Sequence, residues 1–288
     1  MGGSSSKVFE NENMKISILT TITEPIKRQD KYKEAFNCYK DMADELVVVD
    51  GCGYPDNRID ILSDKMKVVF LKWADEWSWE ELPKHLNAGL EQCSGDWVIK
   101  LDIDQFFHEK DKDNIRKQLK YAEEKAYITA SFEKFTVFSP TRAFQKGKVP
   151  IAINRRYQNM GFGLDEKKET DLCYPILIKS YKKINGYKLP VGDLISENCN
   201  YNIKKIRLYN YDYFFKTIDF SLLEFERFAR AYKRFFMKKP FGKNTFLDLR
   251  ESYKNKYSYK LKLDDHPKYI RQAVKEVIDN KLKVIGNL

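Results

Sequence analysis

The chain has 288 residues, 42% of them hydrophobic and 14% aromatic, a composition that excludes a disordered protein and leaves room for a large buried core. Lysine and arginine exceed aspartate and glutamate by 52 − 42 = 10, which suits an anionic partner: a nucleotide diphosphate, an acidic glycan, a phospholipid surface or nucleic acid. The five cysteines are scattered without a Cys-x-x-Cys pair, so neither a zinc ribbon nor a disulfide framework is indicated, and no apolar run approaches the ~18 residues of a membrane span.

In chain order, MGGSSS fits the loose myristoylation pattern Met-Gly-x-x-x-Ser and equally a flexible head, expected over residues 1–13. Residues 15–21 (KISILTT) predict a first strand, with Thr20, Thr21, Thr23 and Glu24 in the loop that follows. Pro25 suits the start of a helix on which Ala35, Phe36, Tyr39 and Ala43 recur at helical spacing. Residues 46–49 are an uninterrupted apolar run, suited to a strand covered on both faces, and end in Asp50-Gly51 and the turn residues 53–57. A third strand is expected over 67–71. Trp73, Trp77 and Trp79 then crowd a short acidic loop. The helix predicted from about 79 to 93 carries Leu82, Leu86 and Leu90 on one face, with Lys84, His85 and Asn87 elsewhere around it.

A fourth strand, 97–101, ends in Asp102 and Asp104. In extended backbone, residues i and i+2 point to the same side, so these carboxylates can face one point. Two convergent anions repel unless a cation sits between them, and a hard divalent ion with oxygen ligands is the natural occupant. The order so far is β-α-β-α-β-α-β. Right-handed crossovers would bring the carboxyl ends of all four strands to one edge, gathering residues 20–24, Asp50, Asp102 and Asp104 in one cleft.

Further on, Ile115, Leu119, Ala122 and Ala126 mark a helix, and residues 127–138 a long strand. Residues 139–170 read as loop-rich, 172–179 and 203–213 as strands, and a helix is expected to begin near Asp193 and Glu197, either of which could cap it. Leu222, Phe225, Phe228, Ala229 and Tyr232, with Arg227, Arg230 and Arg234 alongside, make a basic amphipathic helix. Such a stripe docks on its own domain or lies on an anionic membrane. His266-Pro267 precedes a last helix to about 282.

The pattern resembles glycosyltransferases of the GT-A fold, close to the inverting family-2 enzymes, over residues 15 to about 210. The densest part is KHLNAGLEQCSGDWVIKLDID, residues 84–104. It holds a helix with Asn87-Ala88-Gly89 near its middle, the small turn Ser94-Gly95-Asp96, and a strand ending in the Asp-x-Asp. Asp50 matches the family's acidic residue at the nucleotide base, and IKSYKKINGY resembles the segment that introduces the acceptor side. The usual Pro-Thr-Tyr-Asn after the first strand and the Glu-Asp pair that commonly supplies the base are both absent, as is the Gln-x-x-Arg-Trp signature of processive synthases.

The resemblance implies an α/β fold: a Rossmann-like, mostly parallel sheet flanked by helices. It would comprise a catalytic domain at 14–213, split near 110 into nucleotide-sugar and acceptor halves, and a helical C-terminal extension at 214–288. It implies transfer of a single sugar from a nucleotide-diphosphate sugar, UDP-linked first, to a glycan or lipid-linked acceptor, with Mn²⁺ or Mg²⁺ and inversion. In that scheme Asp102, Asp104 and His266 serve the metal, and Thr20, Thr21, Thr23, Glu24, Asp50, Lys84, Asn87 and Asp102 the donor. Asp193, with Glu197 second, is the base that takes the acceptor's proton. A cytoplasmic location, peripheral contact with a membrane through the basic helix, a homodimer and no nucleic-acid partner go with it. The rival readings are a sugar nucleotidyltransferase, a basic nucleic-acid-binding protein and a sugar-binding module without turnover.

Overall fold

The computed structural model describes residues 14–52, 64–74, 78–165, 174–236 and 258–279, with single positions 248 and 284. The head at 1–13, the turn at 53–57, Trp77, the start of the 172–179 run and the end of the last helix beyond 279 lie outside the described residues.

Strands β1 (Ile16–Ile22), β2 (Glu45–Asp50), β3 (Met66–Phe70) and β4 (Trp97–Lys100) are parallel neighbours in the order β3-β2-β1-β4. Alternation along each strand sends side chains to opposite faces. Ile16, Ile18, Leu46, Val48, Trp97 and Ile99 join one core with Phe36 and Tyr39 of helix α1 (Tyr32–Met42). Leu19, Val47, Val49 and Val98 join another with Leu86 and Leu90 of helix α2 (Glu81–Gln92). With helices on both sides β2 has no solvent face and reads as an unbroken apolar run, whereas the edge strand β3 is only partly covered.

Two small residues of the 84–104 stretch let this half close. A Cβ on Gly89 would lie 2.3 Å from Leu19 and 2.6 Å from Val49, so glycine lets α2 sit directly on the sheet. A Cβ on Gly95 would lie 2.6 Å from the Ser17 nitrogen, and its N–H donates to Ser17 Oγ at 2.8 Å.

Beyond β4 the sheet continues through β7 (Arg142–Asn154), β6 (Thr129–Ser139), β12 (Asn200–Asn210) and β5 (Gln105–Phe107). β13 (Ser258–Lys260) lies antiparallel on β7. β4 and β6 both run antiparallel to β7, and β12 runs parallel to β6 and antiparallel to β5. Every strand of this sheet except β5 and β7 therefore points one way. The expected α/β architecture, a mostly parallel sheet with helices on its faces, is the one observed. Helix α3 (Lys112–Glu124) covers β12.

A second sheet has the order β8 (Met160–Phe162), β10 (Pro175–Ile184), β11 (Tyr187–Leu194), β9 (Leu164–Asp165). Its hairpin turns at Asn185 and Gly186, both with positive φ (48° and 86°), the backbone a two-residue primed turn demands. Two expectations are corrected here. Residues 142–154 are a strand rather than loop: β-bulges in the β6–β7 pair absorb Pro150 and Gly147, which had disguised its alternation. No helix begins at Asp193, which lies in β11; a single 3-10 turn, Glu197–Cys199, precedes β12.

Two helices in the described part of the C-terminal stretch return to the body of the fold. Helix α4 (Ile218–Phe236) docks Ala231, Phe228 and Tyr232 against Trp79 and Leu189. Helix α5 (Lys268–Ile278) buries Ile270, Val274 and Val277 in the α1 core. Among the described residues no helix is long and apolar enough to cross a membrane.

Candidate functional site

Parallel pairing sets the site's location. Ile22 lies beside Asp50, and Leu19 beside Lys100, so β1, β2 and β4 end on one edge. Asp50 is buried at that edge, and its Oδ1 accepts the Cys52 N–H at 2.8 Å, the geometry of an Asx turn. The next residue, Gly51, is where Thr23 and Trp73 converge: a Cβ there would lie 2.1 Å from Thr23 Oγ1 and 1.7 Å from Trp73 Cδ1. Trp73 stacks on His85 at 4.0 Å, and both ring nitrogens of His85 face backbone carbonyls, Glu81 O at 2.9 Å and Leu71 O at 2.6 Å. Asp50, Thr23, Trp73 and His85 thus wall one side of the edge. Thr20 and Thr21 lie within β1 rather than in the loop after it, and Thr20 Oγ1 is buried without a hydrogen-bond partner among the described residues. Glu24, at φ 43°, holds Lys27 at 3.0 Å.

On the other side stand the two aspartates. Asp102 Oδ1 accepts from Lys100 Nζ at 2.6 Å and Oδ2 from Gln105 Nε2 at 2.8 Å. Burial works against the Asp102 charge, but Lys100, with Lys134 and Lys146 beyond it, holds this carboxyl below the usual range. Tyr39 supports the turn from beneath, its hydroxyl 2.6 Å from Asp102 O and 3.0 Å from Gln105 O.

Asp104 is set differently. Its Oδ1 is buried and without a hydrogen-bond partner among the described residues. Burial, with the charges of Asp212 and Asp102 beside it, pushes its carboxyl up to about 7. Asp212 is the member that sequence reasoning missed. Antiparallel pairing of β12 with β5 sets Asn210 opposite Gln105, and the Tyr211 N–H donates to Asp104 O at 2.9 Å, so the residue after β12 returns to the Asp-x-Asp turn. The available signal was an aspartate just past a strand's carboxyl end, the same position as Asp50 and Asp102.

The donor set suits a hard divalent cation: carboxylate oxygens, one of them buried and without a hydrogen-bond partner, gathered where like charges repel. Among the described residues no group of three or more His, Cys, Asp or Glu side chains is arranged to hold a metal ion.

Other expected site residues stand on other elements. Asn87 donates from Nδ2 to Phe162 O at 2.8 Å and accepts the Phe162 N–H at 2.9 Å, a clasp between α2 and the second sheet. Lys84 is exposed and 3.5 Å from Glu81. Asp193 pairs with Lys179 at 2.6 Å on the second sheet. Two assignments need correcting. Glu197 stands just before β12, which runs alongside β6 from Thr129 to Thr136 and ends next to Asp212, so it sits at the opposite edge of the sheet, on the order of 20 Å from the carboxylates at ~3.3 Å per residue. His266 is fully buried with both nitrogens committed, Nδ1 2.7 Å from the Tyr211 hydroxyl and Nε2 2.9 Å from Pro140 O. Its role here is to pack and hold Tyr211, not to ligate.

No family model and no curated protein matches this chain. Among solved structures, residues 1–349 of TarS from S. aureus share 21% identity over 43% of this chain and 36% of that one, TM-score 0.34, and the same protein has been solved with UDP-GlcNAc. The mannosyltransferase PcManGT from Pyrobaculum calidifontis, in complex with GDP-Man and Mn²⁺, shares 12% over 83% of this chain and 68% of that one, TM-score 0.44. Rv0371c from Mycobacterium tuberculosis H37Rv shares 11% over 50% and 73%, TM-score 0.34. The chain spans about two fifths or less of the TarS structures.

Proposed function

We propose that this chain is a divalent-metal-dependent glycosyltransferase that moves a single sugar from a nucleotide-diphosphate sugar to a glycan or lipid-linked acceptor, with inversion. One observation carries the proposal: Asp102, Asp104 and Asp212 gather at the carboxyl ends of β4 and β12, on the edge where Asp50 and Thr23 also stand. Asp102 and Asp104 would hold Mn²⁺ or Mg²⁺, with the Asp212 charge beside them. When bound, such an ion supplies Lewis-acid neutralisation of the charge that grows on a departing diphosphate.

The rest belongs to the chain's own residues. Asp50 accepts an N–H of the base, and Thr23 and Trp73 close the nucleoside side around Gly51. Lys100 keeps Asp102 ionised. Asp193 takes the proton of the acceptor hydroxyl, which needs direct hydrogen-bond reach in the ternary complex. Ile218, Leu222 and Leu223 are exposed along α4 near Arg227 and Arg230, which supports a peripheral contact with an anionic lipid surface carrying the acceptor.

The deciding experiment is incubation of the purified chain with UDP- and GDP-linked sugars and Mn²⁺, followed by mass spectrometry for sugar released to water or to added glycan and lipid acceptors. Release that requires the metal supports the proposal. No binding and no turnover with any nucleotide sugar would refute it.

A further inference from the structure

Beside the carboxylates, four charged side chains close a ring between two regions far apart in sequence, the turn after β1 and the stretch from the turn after β12 into α4. Arg28, in the turn after β1, donates from Nε to Asp30 Oδ2 at 3.2 Å and from Nη1 to Glu224 Oε1 of α4 at 2.8 Å. Lys216, in the turn after β12, completes it, with Nζ 3.1 Å from Asp30 Oδ1 and 3.0 Å from Glu224 Oε2. Gln29 straps the same segments together, accepting the Thr217 N–H at 2.8 Å.

The ring is not uniformly buried. The Asp30, Glu224 and Lys216 side chains are 4%, 11% and 8% exposed, whereas Arg28 is 35% exposed. Arg28 therefore presents the open corner. Its Nε and Nη1 are committed to carboxylates, which fixes the plane of the guanidinium, while Nη2 has no partner among the described residues. The ring and the acidic site share one neighbourhood, through the turn after β12. Tyr211, at the head of the turn that carries Lys216, is hydrogen-bonded to Asp104 O, and the Asp104 charge reaches Arg28. An oriented guanidinium edge next to a cluster of cation-seeking carboxylates is suited to a group that bridges both, and a phosphoryl oxygen is that group.

We propose that Arg28 is a phosphate-binding residue, donating from its outward edge to the diphosphate of the nucleotide, with Asp30 and Glu224 as positioning residues that hold it flat. This rests on the nucleotide-sugar reading above. It also gives α4 a role in the donor site, because Glu224 is the helix's contribution to the clamp.

The test is titration of UDP, GDP, uridine and inorganic pyrophosphate into the full chain and into Arg28→Gln and Arg28→Lys, with and without Mn²⁺. Arg28→Gln should weaken nucleoside diphosphate binding by about tenfold or more, Arg28→Lys should recover part of it, and uridine affinity should not move. A second measurement needs no variant to fold: phenylglyoxal modification of Arg28 in the wild-type chain, read by peptide mass spectrometry, should be slowed by UDP or pyrophosphate and not by uridine. If nucleotides bind with Arg28 neither protected nor needed, the clamp is overturned and the donor reading stands. If pyrophosphate protects Arg28 and no nucleotide binds, the clamp stands and the donor reading falls.

Discussion

The side-chain amide of Asn87 closes on the backbone of Phe162 from both ends, donating to its carbonyl at 2.8 Å and accepting its N–H at 2.9 Å. Two chain segments 75 residues apart are thereby tied, α2 to the leading strand of the second sheet. Gly161 allows the approach, since a Cβ there would lie 2.9 Å from Asn87 Oδ1. An asparagine expected to touch the donor is thus a joint between a helix and the second sheet. Asn87→Ala should cost roughly 1–3 kcal/mol, because it strands both backbone groups of Phe162. Urea unfolding measures this; an unchanged midpoint would mean the clasp contributes nothing.

Gly89 should tolerate even one carbon poorly. Its Cβ would enter space held by Leu19 and Val49, which are themselves pinned in a sheet covered on both faces. Gly89→Ala should lower stability by roughly 1–3 kcal/mol despite the gain in helix propensity. A thermal melt decides, and a raised Tm would show that α2 can slide outward at no cost.

Glu45 binds three strands at their amino ends. Its Oε2 accepts from Ser17 Oγ at 2.5 Å and from the Ser94 N–H at 2.7 Å, and Lys67 pairs with it from β3. Burial opposes its charge, but the pair with Lys67 and the Ser17 and Ser94 hydrogen bonds outweigh burial and leave its carboxyl below the usual value. A depressed native pKa contributes stability above the unfolded value, and that contribution is lost as pH falls through the native one. Glu45→Gln should therefore cost roughly 1–2 kcal/mol at neutral pH, with wild type and variant converging only at a pH below the ordinary glutamate range. Equal differences at both pH values would contradict this.

Mn²⁺ should stabilise the wild-type chain when a nucleoside diphosphate is present, because it relieves the repulsion among Asp102, Asp104 and Asp212. Asp104→Ala should abolish the Mn²⁺-dependent part of nucleotide binding in calorimetry while leaving the fold intact by circular dichroism. Persistence of that part would move the metal elsewhere.

Asp193→Asn should abolish sugar transfer and leave nucleotide affinity near wild type. Glu197→Gln, at the far edge of the sheet, should leave both unchanged. Steady-state kinetics on the pair separates the two carboxylates, and a turnover loss confined to the Glu197 variant would reverse their roles.

Much of the nucleotide half was legible because its signals are local. An unbroken apolar run marks a strand buried twice, and the i, i+2 spacing of Asp102 and Asp104 aims two carboxylates together whatever else the chain does. The glycines of the 84–104 stretch were legible as landmarks, but not as contacts, since Leu19 and Ser17 lie elsewhere in the chain. Residues 142–154 hid their strand because bulges break the alternation that reveals one.

What the amino-acid order alone determined was the α/β class, the parallel set of strands and the acidic edge at their carboxyl ends, all consequences of periodicity over a few residues. Tertiary structure decided which other groups reach that edge. Only the return of β12 beside β5 brings Asp212 to Asp104, only the docking of α4 brings Glu224 to Arg28 across 196 residues, and only strand direction removes Glu197 to the opposite side. The reason is that charge and hydrogen bonding act through distance in space, and a sequence states distance along the chain.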